Sequence, residues 1–600
     1  MDKFQVLSKY FGYSTFRQGQ EKIIDAITDG RDALGIMPTG AGKSICFQVP
    51  AVMFEGITFV VSPLISLMRD QVSALTQSGI RAAYINASLT ERQIDTVYER
   101  AKNGCYKIIY VAPERLESER FLEMCASVRV SMVCIDEAHC VSQWGHDFRP
   151  GYLKIKDFID FFTERPVVCA FTATATQRVR DDIVNLLCLN NPETCITSFD
   201  RSNLYFEVVK PRNKSVALRR YLDLYSGRSG IVYCSTRKNV DDICAELESE
   251  KYSVTKYHAG LPKRERQENQ EKFINNDKEI IIATNAFGMG IDKSNVSFVI
   301  HYNMPGDLES YYQEAGRAGR DGNDANCILL YSAADIRTQK YFIDNPEENE
   351  ELTAKEKESL RLMRLEKLDR MIGYATATSC LRNYILRYFG ESKVGKCMNC
   401  SCCNGVETSV DITTEGQKIF SCIKRVRETE PKEVIIDILK GNETSYIMAK
   451  NYNTIKTFGV MKDVAMSQIE MHMEYFINHS FINKKTDGKL SLDEKCAAVL
   501  LGNKRLRKVL ENTAITRLKQ DTAQQMDVRL FLKLKILRKE LAKKSGLPDF
   551  IIFTDATLKS MAINKPATTK EMLEIPGVPQ NKFKKYGMVF LKEINKHCST

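Results

Sequence analysis

Short apolar runs alternate with longer segments of helical spacing along the N-terminal part of this chain, and this alternation most constrains its fold. Segments such as Leu64–Gly79 and Thr90–Gly104 have helical spacing and separate the apolar runs. Strands that alternate with helices predict a parallel sheet covered on both faces. The candidate strands are Ala33–Met37, Ile57–Ser62, Ile108–Val111, Met132–Asp136 and Val167–Phe171.

The alternation restarts after Arg201, which predicts a second parallel-sheet domain joined to the first near Phe199–Tyr205. Its candidate strands are Ser229–Tyr233, Ser253–His258, Glu279–Ala283, Val296–Ile300 and Asn326–Tyr331. A chain of 600 residues has room for about three to five domains. Downstream lie a long charged helical stretch, Pro346–Arg387, a mixed region with a hairpin signal at Lys485–Lys489, and a lysine-rich helical end.

Basic residues are concentrated at the C-terminal end of the chain. Residues 501–600 carry 21 Lys and Arg against 9 Asp and Glu, whereas the whole chain has a net charge of +10. This imbalance predicts either contact with a polyanion or a solvated basic face. No apolar run of ~18 residues and no secretory leader is visible, so we expect no membrane span. Most of the 19 cysteines stand alone in apolar runs, which is typical of a reducing cytoplasm.

A phosphate-binding turn is predicted where the first strand meets a helix, over Ala33–Ser44. Gly40 and Gly42 would let the backbone approach phosphate groups, which suit a helix N-terminus. Lys43 would reach the β- and γ-phosphates, and Ser44 would bind Mg²⁺. Met37 replaces the first glycine of the full P-loop pattern, and a chance glycine turn is the alternative.

Two further segments supply the remaining groups of a nucleotide-hydrolysis site. Asp136 ends an apolar strand, where a P-loop ATPase needs a carboxylate for Mg²⁺, and Glu137 is the candidate to polarise water. Arg317 and Arg320, three residues apart, would lie on one helix face and stabilise the γ-phosphate in the transition state. The alternatives are helix-capping acids and two arginines in a surface loop.

The polar loop Cys140–Pro150 follows these acids at once and holds Trp144, the one tryptophan of the chain. We expect an exposed aromatic face there that could stack on a base. The adjacency predicts nucleotide hydrolysis linked to nucleic-acid binding.

At this point the motifs resemble those of one family, the RecQ DNA helicases of superfamily 2, over nearly the whole chain and in the family's order. They are Phe16–Gln20 with Tyr13 ahead of it, Thr39–Ser44, Asp136–His139, Ser142–Pro150, Phe171–Thr176, Ala286–Lys293 and Gln313–Arg320. The resemblance implies that adenine contacts Tyr13, Arg17 and Gln20, and that phosphates and ribose contact Thr39, Gly40, Ala41, Gly42, Lys43, Ser44 and Asp292. It adds Gln313 to the catalytic arginines, assigns coupling to His139, Thr172 and Thr174, and assigns DNA contact to Gln143, Trp144, Phe148 and Arg149.

Cysteine spacing and the resemblance together predict a closed, structural zinc site. Cys397, Cys400 and Cys403 have knuckle spacing, and Cys380, expected on the preceding helix, supplies a fourth thiolate. Cys402 is a spare thiol that could compete with Cys403.

The implied fold is α/β: two tandem RecA-like parallel-sheet domains (1–200 and 201–340), a helical hairpin and zinc-binding domain (341–408), a winged-helix domain (409–515) and a small all-α HRDC domain (524–600). The short wing has no aromatic residue at its tip, Thr486–Gly488, whereas some relatives separate strands with an aromatic residue at this tip.

The sequence therefore predicts an ATP-, Mg²⁺- and Zn²⁺-dependent enzyme, a 3′–5′ DNA helicase of repair and recombination. Its expected partners are single-stranded and duplex DNA, including forks and tailed duplexes, and single-strand-binding protein. We expect a cytoplasmic, nucleoid-associated monomer. One competing function is a DNA-stimulated translocase or remodeller that does not separate strands. Another is a DNA-binding scaffold with an inactive ATPase core, which the intact Lys43, Asp136, Glu137 and Arg320 argue against.

Overall fold

The computed structural model describes residues 1–145, 147–288, 293–346, 353–391, 395–404, 408–478, 480–485, 488–510, 527–547 and 549–598. These residues form two compact units. The larger unit comprises Met1–Met371, Arg382–Gly395 and the C-terminal helices, and the smaller one comprises Ile372–Leu381 and the described residues from Lys396 to Leu510.

The first sheet has seven parallel strands in the order β3-β4-β2-β5-β6-β1-β7. Its inner strands are buried along their length, as expected for a parallel sheet covered by helices. The strands are β1 (Ala33–Ile36), β2 (Ile57–Val61), β3 (Ala82–Ile85), β4 (Ile108–Val111), β5 (Val130–Ile135), β6 (Val167–Thr172) and β7 (Glu193–Ile196). The helices are α1 (Lys3–Val6), α2 (Gln20–Thr28), α3 (Lys43–Met53), α4 (Ile65–Gln77), α5 (Glu91–Lys102), α6 (Glu119–Ala126), α7 (Ile155–Asp160) and α8 (Gln177–Leu186).

Strand order brings the sequence motifs of this domain together. Strands β5, β6 and β1 are neighbours, and they run in the same direction. Their carboxyl ends lead into Asp136, the Thr172–Thr176 segment and the P-loop, respectively. Ligands of open parallel sheets bind at this edge, so the three motifs share one rim.

The second sheet has six parallel strands in the order β10-β11-β9-β12-β13-β8, and the two predicted parallel-sheet domains are thereby confirmed. Its strands are β8 (Leu204–Val209), β9 (Gly230–Tyr233), β10 (Val254–Tyr257), β11 (Ile280–Ala283), β12 (Phe298–His301) and β13 (Ala325–Leu330). Its helices are α9 (Lys214–Leu224), α10 (Arg237–Ser249), α11 (Lys263–Ile274), α12 (Leu308–Ala315) and α13 (Ala333–Asp344).

Strands β3, β7 and β8 are absent from the sequence prediction. Strand β7 (Glu-Thr-Cys-Ile) alternates between half-buried and exposed residues and is not an apolar run, whereas the prediction omits β3 although its four residues are apolar. Strand β8 begins inside the segment predicted to be only a junction between the domains.

The stretch predicted to be charged and helical contains two helices, α14 (Ala354–Ala375) and α15 (Leu381–Tyr388). The placement of Cys380 on a helix is wrong, because it lies in the loop immediately before α15. The elements that lie wholly within the smaller unit are α16 (Ser401–Asn404), β14 (Thr408–Asp411), α17 (Thr413–Arg425), α18 (Lys432–Lys440), α19 (Ser445–Ala449), α20 (Met466–Asn478), β15 (Ile482–Lys484), β16 (Leu490–Leu492), α21 (Cys496–Leu500) and β17 (Arg507–Leu510).

The C-terminal domain is a helical bundle that packs against the first sheet domain. It contains α22 (Val528–Ser545), α23 (Asp549–Ile552), α24 (Asp555–Asn564), α25 (Thr569–Glu574), α26 (Gln580–Lys582) and α27 (Met588–Cys598). The backbone N–H of Gly577 donates to the carbonyl of Gly12 (3.0 Å), and the Asn581 amide donates to the carbonyl of Ser78 (2.8 Å). Across the described residues, we find no helix with the length and apolar character needed to span a bilayer.

Candidate nucleotide and DNA site

The P-loop forms one wall of a cavity of about 340 Å³ at the rim of the first sheet. Gly40 and Gly42 both have φ of 85°, a left-handed conformation that side chains disfavour. Gly42 caps the N-terminus of α3, which begins at Lys43. The Lys43 ammonium is buried and has no hydrogen-bond partner among the described residues, so it is free to meet a phosphate oxygen.

The residues predicted to contact adenine line the same cavity, beside the P-loop. Tyr13 is partly exposed there, and its ring is available to a base. The Arg17 guanidinium donates to the carbonyl of Gly40 (2.6 Å), and the Gln20 amide donates to the carbonyl of Gly42 (3.0 Å). Both side chains therefore also brace the P-loop. The predicted ribose contact, Asp292, lies outside the described residues.

The two acids after β5 lie opposite Lys43. Glu137 has φ of 49°, and its Oε1 lies 3.9 Å from Lys43 Nζ. Desolvation raises the pKa of Asp136 to about 6, and the neighbouring charge of Glu137 adds to the effect. Asp136 and Ser44 both line the cavity, so carboxylate and hydroxyl oxygens, which Mg²⁺ prefers, are present together.

A buried chain of contacts leads from Glu137 into the next strand. Glu137 Oε2 lies 3.4 Å from His139 Nδ1, and the same ring nitrogen is 2.8 Å from Thr172 Oγ1. The Thr172 hydroxyl in turn donates to the carbonyl of Thr174 (3.2 Å). The three residues predicted to couple the sites are thus connected to one another and to the acid.

The second sheet domain closes the cavity with Gln313, Arg317 and Arg320. Arg317 is buried, and its Nε has no hydrogen-bond partner among the described residues. Gly316 allows this close approach, because a Cβ there would lie 2.5 Å from Thr39 Oγ1. Buried cations from both domains face one cavity. This arrangement suits an anionic ligand such as a nucleoside triphosphate.

Sequence reasoning missed three residues at this site. Arg201 donates to the carbonyls of Thr39 (2.7 Å) and Gly319 (2.8 Å), and so ties the P-loop to the second domain. Phe550 and Thr554 of the C-terminal domain line the nucleotide cavity. These positions depend on domain packing, and no local pattern in the sequence marks them.

The loop that follows His139 borders a second cavity, of about 1090 Å³. Gln143 and Phe148 line this cavity together with Lys357 and Arg364 of α14, whose charges suit a DNA backbone, and with acids such as Asp344 and Glu358. Arg149 instead pairs with Asp147 (3.0 Å) and donates to the carbonyl of Pro63 (3.1 Å). Its predicted contact with DNA would require those bonds to be exchanged.

Trp144 differs from the expectation of an exposed stacking face. The residue is half-buried, and the guanidinium carbon of Arg178 lies 3.1 Å from the centre of its ring. The sequence gives no indication of this contact, because Arg178 lies on α8, in another part of the chain.

Four cysteine thiols meet in the smaller unit. The sulfur atoms of Cys380, Cys397, Cys400 and Cys403 all lie within 4.8 Å of one another, which fits tetrahedral zinc with Zn–S bonds of about 2.3 Å. Hydrogen bonding to Cys380 raises the pKa of Cys397 to about 11, an effect that a bound cation would oppose. Cys402 instead donates to the carbonyl of Ala377 (3.7 Å).

Models of known protein families match successive parts of the chain. They are a DEAD/DEAH box helicase (residues 17–183), a helicase conserved C-terminal domain (213–322), a RecQ zinc-binding domain (333–404), an RQC domain (407–517) and an HRDC domain (527–594).

Proteins from several organisms are similar to the chain. The ATP-dependent DNA helicase RecQ of Bacillus subtilis is 41% identical over 599 residues, covering 99% of this chain and 98% of that protein. The Pasteurella multocida protein of the same name is 38% identical, covering 99% and 93%. The ATP-dependent helicase SGS1 of Saccharomyces cerevisiae is 36% identical over 483 residues, covering 77% and 33%.

Proposed function

The chain belongs to the RecQ family of ATP-dependent DNA helicases, and we propose that it couples ATP hydrolysis to 3′–5′ movement on single-stranded DNA and to duplex unwinding. The observation that carries the proposal is the cleft between the two sheet domains. There the Lys43 ammonium and Arg317 Nε are buried, find no hydrogen-bond partner in the described part of the chain, and share a cavity with the carboxylates of Asp136 and Glu137.

Each residue of the cleft has a separate role in the proposed hydrolysis step. Ser44 and Asp136 would hold Mg²⁺, which supplies Lewis-acid stabilisation of the phosphate charge when it is bound. Glu137 orients the attacking water and accepts its proton, while Lys43 neutralises the phosphate oxygens. Arg317 and Arg320 approach from the other domain, so the site is complete only when the two domains are closed.

The connection to DNA runs through the segment that follows Glu137. His139 contacts both Glu137 and Thr172, and the loop with Gln143, Trp144 and Phe148 begins directly after it. A DNA strand in the second cavity would contact Gln143 and Phe148 while its backbone meets the cations of α14. Strand binding would thereby alter the position of His139 and, through it, of Glu137.

The proposal is tested by ATP hydrolysis and strand displacement on matched duplexes with a 3′ tail or a 5′ tail. We expect single-stranded DNA to stimulate hydrolysis and only the 3′-tailed duplex to be unwound. Trp144→Ala should bind ATP normally but lose most of the stimulation. Phe161→Ala, which removes an exposed aromatic side chain at the end of α7 and outside both cavities, serves as the control. Displacement of the 5′-tailed duplex alone would contradict the polarity.

A translocase without strand separation is the second candidate, favoured by the small wing. Strands β15 and β16 have three residues each, and residues 486 and 487 at the predicted tip lie outside the described residues. DNA-stimulated hydrolysis with no displacement of either tailed duplex would support this function. A monomer that meets single-strand-binding protein in the nucleoid stays a prediction of the family resemblance.

A further inference from the structure

Three elements hold Trp144, and together they fix both its ring and its backbone. The Arg178 guanidinium covers one face of the indole at 3.1 Å from the ring centre. The Trp144 backbone N–H donates to Ser142 Oγ (3.1 Å), and that hydroxyl donates to Asp182 Oδ2 (2.5 Å). Lys367 Nζ donates to the Trp144 carbonyl (2.7 Å).

Arg178 and Asp182 lie four residues apart and therefore on the same face of α8. This helix starts immediately after the Thr172–Thr176 segment, where Thr172 contacts His139. The element that covers the indole is thus continuous with the chain of contacts that ends at Glu137.

The third anchor leads to the other half of the nucleotide site. Lys367 Nζ lies 3.5 Å from Glu309 Oε1, and both side chains are largely buried. Glu309 belongs to α12, the helix that carries Gln313 and ends just before Arg317. Trp144 therefore contacts the first domain through Arg178 and the second domain through Lys367 and Glu309.

The contact between Arg178 and Trp144 occupies the surface that a base would need. Arginine stacks on an indole face through both its charge and its plane, and a nucleobase stacks on the same face with comparable strength. Arg178 is itself exposed, so it can leave the ring without opening the protein core. The guanidinium and a base compete for one face.

We propose that Arg178 is a positioning residue that covers the stacking face of Trp144 in the DNA-free protein, and that a base of single-stranded DNA displaces it. The proposal rests on the proposed contact of Trp144 with DNA. Arg178 raises the DNA concentration needed to stimulate hydrolysis, and its release frees the first turn of α8 beside Thr172. The enzyme responds to a strand that can present an unpaired base.

The sole tryptophan makes the first half of the proposal measurable without DNA. In Arg178→Ala, we expect the emission of Trp144 to shift to longer wavelength and acrylamide to quench it more efficiently. Arg178→Lys should give intermediate values, because an ammonium contacts the ring but does not stack on it. Arg92→Ala, which removes an exposed arginine of α5, is the matched control. Emission and quenching of Arg178→Ala equal to wild type would overturn the proposal.

The second half is measured by titrating an oligothymidylate into the ATPase assay. We expect the concentration for half-maximal stimulation to fall about 5- to 20-fold in Arg178→Ala, while kcat at saturating DNA and KM for ATP stay unchanged. A rise in that concentration would show that Arg178 itself holds DNA, and would overturn displacement. Full stimulation of Trp144→Ala by DNA would show that the indole does not contact DNA. The emission of Trp144 without DNA reports on the Arg178 contact independently of that result.

Discussion

Gly316→Ala tests whether the two sheet domains must touch at the P-loop for hydrolysis to proceed. An added Cβ would lie 2.5 Å from Thr39 Oγ1, whereas ordinary contact begins near 3.4 Å. Thr39 is short and β-branched, so it cannot swing far away. The second domain must therefore retreat by about 1 Å, and a displacement of that size can cost about 10²-fold in rate.

The expected result is a fall of about 100-fold in kcat for DNA-stimulated hydrolysis, since Arg317 and Arg320 move with Gly316. Each domain should stay folded, because Gly316 has right-handed backbone angles (φ −65°) that alanine also adopts, and the clash lies at the contact between the domains. Thermal unfolding and DNA-binding anisotropy close to wild type would show that the domain is displaced but still folded. A loss in both would show that it is damaged.

Gly260→Ala is the matched control in the same domain, because its Cβ would meet mainly the flexible Arg237 side chain. We expect it to hydrolyse ATP like the wild type. A Gly316→Ala enzyme with wild-type kcat would refute the reasoning that contact at Thr39 sets the position of the arginines.

The remaining predictions concern the water-orienting acid, the zinc ligands and a buried lysine. Glu137→Gln should bind ATP yet hydrolyse it about 10²–10⁴-fold more slowly; robust turnover in a phosphate-release assay would remove that role. In an assay of zinc per chain, Cys400→Ser should lose the metal and unfold its region, whereas Cys402→Ser should retain the metal. Zinc loss in Cys402→Ser but not in Cys400→Ser would make Cys402 the ligand in place of Cys400. Burial lowers the pKa of Lys293 to about 7 from 10.5, so the unfolded chain binds more protons between these values, and stability should rise with pH there by about 1.4 kcal/mol per pH unit. Urea unfolding of Lys293→Met at about pH 7 and about pH 9 should lack this slope, and a slope equal to wild type would assign it to other groups.

Much of the fold follows from local patterns in the sequence, because inner strands of a parallel sheet must be apolar on both faces. Strand β5, for example, ends in four fully buried residues. Strand β7 could not be predicted in this way, since its exposure alternates and its apolar residues are few. The placement of Cys380 on a helix failed because helical composition alone does not indicate where one helix ends and the next begins.

The site residues also fall into those that a local sequence pattern predicts and those that it does not. Thr39–Ser44 and Asp136–Glu137 are adjacent in sequence to strands whose order fixes their meeting, so a sequence pattern suffices to find them. Arg201, Phe550 and Arg178 act through contacts with residues far away along the chain. Only the packing of helices and domains reveals such residues.

The position of the C-terminal helices has a consequence for the comparison of full-length and shortened proteins. Removing the domain takes Phe550 and Thr554 from the lining of the nucleotide cavity and leaves the carbonyl of Gly12, next to Tyr13, without the Gly577 N–H. A truncated protein would therefore differ in its ATP pocket as well as in the basic surface it has lost. A change in DNA affinity after truncation cannot be assigned to that surface until KM for ATP has been measured for both proteins. Asn581→Ala, which removes the bond to Ser78, is the milder way to separate the two effects.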